Sequence, residues 1–335
     1  MQAAAQDASS AEAAHAVQTV SPPLLAATAG GEDDVMHSVL IGPGGQVYEP
    51  TAPGTWQRRF GGGIAPVVVG ATLAGEGLFA HGAATPVFRL DGTTWHAHPL
   101  PNRGPCLVGR GPVAALAIGP HVYTWRGSAW MRLASIQGRV SAVWADTPTR
   151  AHAATTRGSL WRIQGGATTA VPTPQAAGDP IVQLTGRARA LYGVTQSGAV
   201  LRIQTRATLV GVDPALAGWA AQVAAVDASG TLWALGWIPS SGQAMLARTR
   251  GNALVPVDTM AGLTPADRFV ALHVDRRGGM LWATESGAVR YHAHATAGDA
   301  APPAPTAAGW QQGQIRTELA APAPRFRGRG PARAR

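Results

Sequence analysis

A short phrase recurs along this chain. It reads Thr156-Arg157-Gly158-Ser159-Leu160-Trp161, Gln196-Ser197-Gly198-Ala199-Val200-Leu201, Ala228-Ser229-Gly230-Thr231-Leu232-Trp233 and Glu285-Ser286-Gly287-Ala288-Val289-Arg290. Each copy is a tight turn ending in Gly between two apolar alternating runs. That is how a β-hairpin is encoded, because the second turn residue needs a positive φ that Gly adopts freely. The anchors are unevenly spaced: Gly158 to Gly198 is 40 residues, Gly198 to Gly230 is 32 and Gly230 to Gly287 is 57. The last interval holds a further turn at Ser240-Ser241-Gly242, so the anchors are not all the same turn.

Composition agrees with an all-β chain. Hydrophobic residues make up 46% of the 335, enough for a core, while charged residues are 13% and Gly and Pro number 42 and 26. Many turns and few charged helix formers favour strands joined by loops. The net charge is +9 and every basic residue is Arg, a bias that accompanies abundant Ala, Gly and Pro. Cys106 is the single cysteine, which excludes an internal disulfide framework and a thiolate metal site. The first fourteen residues carry Asp7 and Glu12 and no basic segment leading into an apolar run, so no signal peptide is read there. No run approaches the length of a membrane span. The expected compartment is cytoplasmic, with no membrane partner and a monomeric chain.

Between a flexible segment at 1–30 and a Pro/Ala/Arg-rich tail at 319–335, the strands group into units of four. The first holds Ser38–Ile41, a Gly44-Gly45 turn, Gln46–Tyr48 and Gly54–Trp56. The second holds 66–69, 77–80, 87–90 and 94–95, and the third 113–118, 121–125 and 129–131. Later units start at Val140, Ile181, near Gln222 and at Phe269. His15–Val20 is a candidate edge strand, and Gly309-Trp310-Gln311-Gln312 repeats the Gly-then-Trp ending of Gly54/Trp56, Gly92/Trp95 and Gly127/Trp130. Counted by first strands the unit averages roughly 40 residues, the size of a propeller blade. A four-stranded sheet of this size cannot bury both faces alone, but a ring of them can. The expectation is a β-propeller over 31–318, with seven blades the best fit and six or eight also open. The eleven Trp residues are expected to act as wedges between blades.

Four stretches carry resemblances to three repeat families. Val122-Tyr123-Thr124-Trp125-Arg126-Gly127-Ser128-Ala129-Trp130 and Gly158-Ser159-Leu160-Trp161-Arg162-Ile163 resemble tectonin-type repeats. Met36–Ile41 with Gly45–Tyr48 resembles the regulator-of-chromosome-condensation repeat, and Gly279–Thr284 is similar to the bacterial two-component-regulator propeller. These resemblances imply a propeller and a binding module rather than an enzyme.

Candidate chemistry is sparse. Asp91-Gly92-Thr93-Thr94-Trp95 resembles the Asp-box turn of sialidase-like propellers but is one residue short. His96/His98 and His292/His294 are His-x-His pairs; on a strand each pair faces one side and can chelate a metal, yet no third ligand stands nearby in sequence. Glu32-Asp33-Asp34 reads as a solvated loop. Gly61-Gly62-Gly63 lacks the Lys and helix of a phosphate loop, and no Ser-His-Asp signature is evident. No catalytic residue, metal ligand or cofactor is assigned.

The tail is the exception. Arg325, Arg327, Arg329, Arg333 and Arg335, with Gly spacers and Phe326, form a segment able to wrap a polyanion and stack on bases. Without those five Arg the net charge of +9 falls to +4, so the remaining body is not strongly basic. The functional expectation is a non-enzymatic propeller that binds a protein partner. Alternatives are an enzyme acting on a glycan or small molecule at the central channel, and nucleic-acid binding through the tail.

Overall fold

The computed structural model describes residues 25–27, 39–42, 44–52, 55–60, 68, 70–74, 77–82, 86–91, 93–100, 102, 104, 106–109, 111–174, 178–187, 190–260, 262–274, 279–286, 288–292, 311–312 and 314–316. They form seven sheets, each built on four antiparallel strands, arranged as the blades of a β-propeller. Blade one consists of Leu25–Ala27, Val39–Ile41, Val47–Ala52 and Thr55–Phe60. Blade two is Gly70–Ala74, Gly77–His81, Val87–Asp91 and Thr94–His98. Blade three is Cys106–Gly109, Ala115–Ile118, His121–Arg126 and Ala129–Ser135. Blade four is Val140–Thr147, Arg150–Thr155, Leu160–Gln164 and Ala167–Val171. Blade five is Ile181–Arg187, Ala190–Thr195, Val200–Ile203 and Ala207–Leu209. Blade six is Ala220–Val226, Leu232–Ile238, Gln243–Arg250 and Ala253–Met260. Blade seven is Phe269–Val274, Met280–Thr284, Val289–His292 and Gln311–Gln312.

The core is divided into seven apolar clusters, one for each interface between neighbouring blades. Ile41 and Val47 meet Leu78 and Phe88 between blades one and two. Phe79 packs on Trp125 and Trp130 between two and three, with ring centroids 5.2 and 5.3 Å apart. Trp144 meets Ile181 and Leu184 between four and five. Trp237, Phe269 and Trp282 join six to seven, their neighbouring centroids 5.7 and 5.5 Å apart. Trp56, fully buried, packs with Ala271 and Leu281 and so joins blade seven to blade one. These Trp side chains wedge adjacent blades, each contributing a large buried apolar area.

The ring is also closed by a strand. Gln311–Gln312 pairs with Arg290 and Tyr291 as the outer strand of blade seven. Gln314–Arg316 then pairs in parallel with Thr55–Gln57 on the outer edge of blade one. Gly211–Val212 repeats the device, running from blade five onto the outer edge of blade six at Ala253 and Leu254. A 3₁₀ turn at Pro214–Leu216, capped by the Asp213 carboxylate, leads from there towards the inner strand. Added strands of this kind satisfy the edge groups that an outermost strand leaves unpaired.

Three inner strands differ from the sequence reading. Leu25–Ala27, Gly70–Ala74 and Cys106–Gly109 are the first strands of blades one, two and three. The segments 38–41 and 113–118, read as first strands, hold second strands instead, at Val39–Ile41 and Ala115–Ile118. His15–Val20, Glu32–Asp34 and Gly61–Gly63 lie outside the described residues, as do all five Arg of the tail. Among the described residues, no helix is long and apolar enough to cross a membrane.

Candidate functional site

The inner strands converge on a central channel, and the channel wall carries a repeated irregularity. In blades four to seven the pairing of the first strand with the second skips one residue near its start: Ser141, Val182, Gln222 and Val270. These are β-bulges, which re-aim a side chain away from the regular pleat. Val182, Gln222 and Val270 line a cavity of about 510 Å³ in the channel. Val143, Val223 and Phe269 supply much of the remaining apolar wall. Its polar lining groups are His81, Cys106, Gln183, Gln222 and Arg268.

Several polar side chains at the channel wall are committed to the next blade. The Ser141 hydroxyl of blade four donates to Ile181 O of blade five at 2.7 Å. Gln183 of blade five makes a two-way bond with Ala224 of blade six: Nε2 donates to the carbonyl at 2.8 Å, and Oε1 accepts from the N–H at 3.1 Å. Gln222 Oε1 of blade six accepts from Phe269 N of blade seven at 2.9 Å. These polar groups therefore stitch the ring together, satisfying backbone that the bulges and blade boundaries leave open.

Among the described residues, the rest of the polar lining is neutral apart from one cation. His81 Nδ1 lies 2.7 Å from Gly82 O; because a carbonyl only accepts, that nitrogen carries the proton. Burial lowers the His81 pKa, against a smaller opposite effect of the same bond, and keeps the ring neutral. Burial pushes the Cys106 thiol up to about 11, so it is not a thiolate at neutral pH. Arg268 is exposed and, among the described residues of the lining, is the one that carries a charge.

At the entries to two inner strands an aspartate ties the turn of its own blade. Asp179, before blade five, accepts from Ser197 N at 2.8 Å and Ser197 Oγ at 2.7 Å. Asp267, before blade seven, accepts from Thr264 N and Oγ1 at 2.9 and 3.0 Å and from Ser286 Oγ at 2.7 Å. Within the same turns, Thr195 and Thr284 accept from the N–H groups of Ala199 and Ala288. The phrase that repeats in the sequence is thus an anchoring device for the scaffold.

The sequence candidates fall apart in space. His96 is exposed on the outer strand of blade two, whereas His98 packs edge-on against Trp125 of blade three, ring centroids 4.8 Å apart. Burial, followed by Arg89 and His96, lowers the His98 pKa. His98 is a packing residue, and sequence spacing gave no sign of it. The side chains of His292 and His294 lie outside the described residues. Trp95, at the end of the Asp-box-like turn, donates its indole N–H to Gly45 O of blade one at 2.9 Å, while Asp91 is exposed. His121 Nδ1 and Ser135 Oγ lie 2.7 Å apart on paired strands of blade three. That pair is exposed, and among the described residues no carboxylate orients the ring as a nucleophile's base requires. Also among the described residues, no three His, Cys, Asp or Glu side chains cluster to hold a metal.

No protein-family model matches the chain, and no curated protein does. Solved structures do match. YCF48 from Cyanidioschyzon merolae aligns over 81% of this chain and 95% of its own, with 14% identity and a TM-score of 0.58. The WD40 β-propeller domain of Doa1 aligns over 81% and 93%, with 11% identity and a TM-score of 0.57. A catalytically inactive virginiamycin B lyase from Staphylococcus aureus, with quinupristin, aligns over 81% and 95%, with 15% identity and a TM-score of 0.56. At these identities the likeness establishes the propeller fold and does not single out a tectonin-type or chromosome-condensation-type repeat.

Proposed function

We propose that the chain is a non-enzymatic propeller that displays its loops and rim to a protein partner and acts as a monomer. The observation that carries this reading is the use of Ser141, Gln183 and Gln222 as bonds to the next blade's backbone. Acid–base or nucleophilic catalysis needs groups left free to meet a substrate, whereas the Ser141 hydroxyl, both ends of the Gln183 amide and the Gln222 carbonyl oxygen are spent on the scaffold. Two solved propellers support the reading in their own right: YCF48 has a structure with a D1 peptide, and BBS1N has one in complex with ARL6DN. The test is affinity capture on the purified chain, followed by calorimetry with the recovered, purified partner. Saturable one-to-one binding supports the reading. Turnover of a defined substrate with no specific partner overturns it and favours the alternative, an enzyme at the channel.

A second reading rests on the tail alone. Arg325, Arg327, Arg329, Arg333 and Arg335 favour a salt-sensitive contact with RNA, DNA or another polyanion. Deleting 319–335 removes that binding if the tail carries it; unchanged binding in the deletion refutes it.

A further inference from the structure

We propose that the channel cavity binds one medium-chain acyl carboxylate, its chain among Val143, Val182, Val223 and Phe269 and its carboxylate at Arg268 and Gln222 Nε2. This site is separate from the partner-binding reading and stands or falls without it.

The size is suitable: about 510 Å³ lies in the range of small-molecule sites. The wall is chiefly apolar, and part of it faces open space in a way a core does not. Val182 sits at a bulge and is 45% exposed, although its neighbours Ile181 and Leu184 are buried. Covering such a surface with an acyl chain is favourable by the apolar area removed from water.

The charge on the lining selects the other end of the ligand. Among the described residues, no Asp or Glu lines the cavity, and Arg268 does. The adjacent Asp267 carboxylate turns its two oxygens to Thr264 and Ser286. Gln222 is held by its Oε1 to the Phe269 N–H, the residue that follows Arg268, and its Nε2 is the donor end of the same amide on the cavity wall. Arg presents a fork of donors that matches a carboxylate in a way no neutral ligand group does. Across the cavity, the neutral His81 ring and the Cys106 thiol add no competing charge. An apolar wall with donors and one cation at a single place describes an amphiphilic anion.

The experiment uses the full chain and two ligands of equal length, decanoate and decan-1-ol, titrated by calorimetry against wild type, Arg268→Gln and Val182→Trp. The expected result is one decanoate per chain, bound at least tenfold tighter than the alcohol. In Arg268→Gln the decanoate affinity falls about tenfold, to that of decanol, while the ligand-free melting temperature is unchanged because the side chain is exposed. In Val182→Trp, which fills the cavity, both ligands bind more weakly. Equal affinities for acid and alcohol, undiminished decanoate binding by Arg268→Gln, or no saturable decanoate binding each overturn the proposal. Arg268→Gln decides the question by itself if the tryptophan variant does not fold.

Discussion

Gln183 and Ala224 hold each other by two hydrogen bonds at once, the side-chain amide of one blade matching the backbone N–H and carbonyl of the next at 3.1 and 2.8 Å. An amide can do this because it carries donor and acceptor side by side. The relationship explains both the firmness of the boundary between blades five and six and the small amount of free polar chemistry at the channel.

Replacing Gln183 with Leu keeps the bulk and removes both bonds. Two backbone groups of the buried Ala224 then lose their partner, and unfolding in urea is expected to show a loss of about 1–3 kcal/mol. A loss below the error of the measurement would mean that the ring does not depend on this clasp.

Trp56 closes the ring by packing blade one onto Ala271 and Leu281 of blade seven. Trp56→Ala leaves a large cavity at the closure and is expected to cost about 3–5 kcal/mol in the same assay.

Two glycines separate backbone strain from crowding. Gly251 has φ of 65° with open space around its Cβ position, so Gly251→Ala should cost about 1 kcal/mol from the left-handed conformation alone. Gly198 has φ of 88°, and a Cβ there would lie 2.6 Å from Ala220 Cβ and 2.7 Å from Ala221 N in the next blade. Gly198→Ala adds overpacking to strain and should cost about 3 kcal/mol, measured by denaturant midpoint.

Asp267 titrates below the usual carboxylate range, chiefly because the Thr264 N–H and then the Ser286 hydroxyl bind its charged form. A carboxyl with a lowered native pKa contributes stability above its unfolded pKa, and that contribution is lost as the pH falls through the native value. Asp267→Asn should therefore flatten the acid side of the stability–pH curve. It should leave the alkaline side with the same shape. A variant curve parallel to wild type from neutral pH to acid would contradict the assignment.

The Cys106 thiol, at about 11, should react slowly with an aromatic disulfide reagent in the native chain at pH 8 and rapidly in denaturant. Rapid native labelling would show that the inner strand of blade three opens readily.

How far the sequence disclosed this structure depends on which residues carried the signal. The turns at Gly158 and Gly198 were legible, and both join a second to a third strand. Gly230 shares their spelling but joins the first strand of blade six to the second; the equivalent turn there holds Gly242. With that exchange the intervals become 40, 44 and 45 residues, from Gly158 to Gly198, Gly242 and Gly287, and the irregular spacing disappears. The inner strands Gly70–Ala74 and Cys106–Gly109 were missed because they are short, begin or end in Gly, and do not alternate polar with apolar residues. The bulges at Val182 and Gln222 are facts of register between strands, and no local pattern encodes register. For the same reason the apolar cavity with its one Arg could not be assembled from sequence.

The central claim is that this propeller works by binding a partner and not by turning over a substrate at its channel. It is tested most directly by calorimetry of the purified partner against wild type and a His81→Ala/Arg268→Gln chain. The account predicts one partner per chain and an affinity that the two channel substitutions leave unchanged. Absence of any saturable partner, together with turnover of a substrate that the doubly substituted chain has lost, would contradict it.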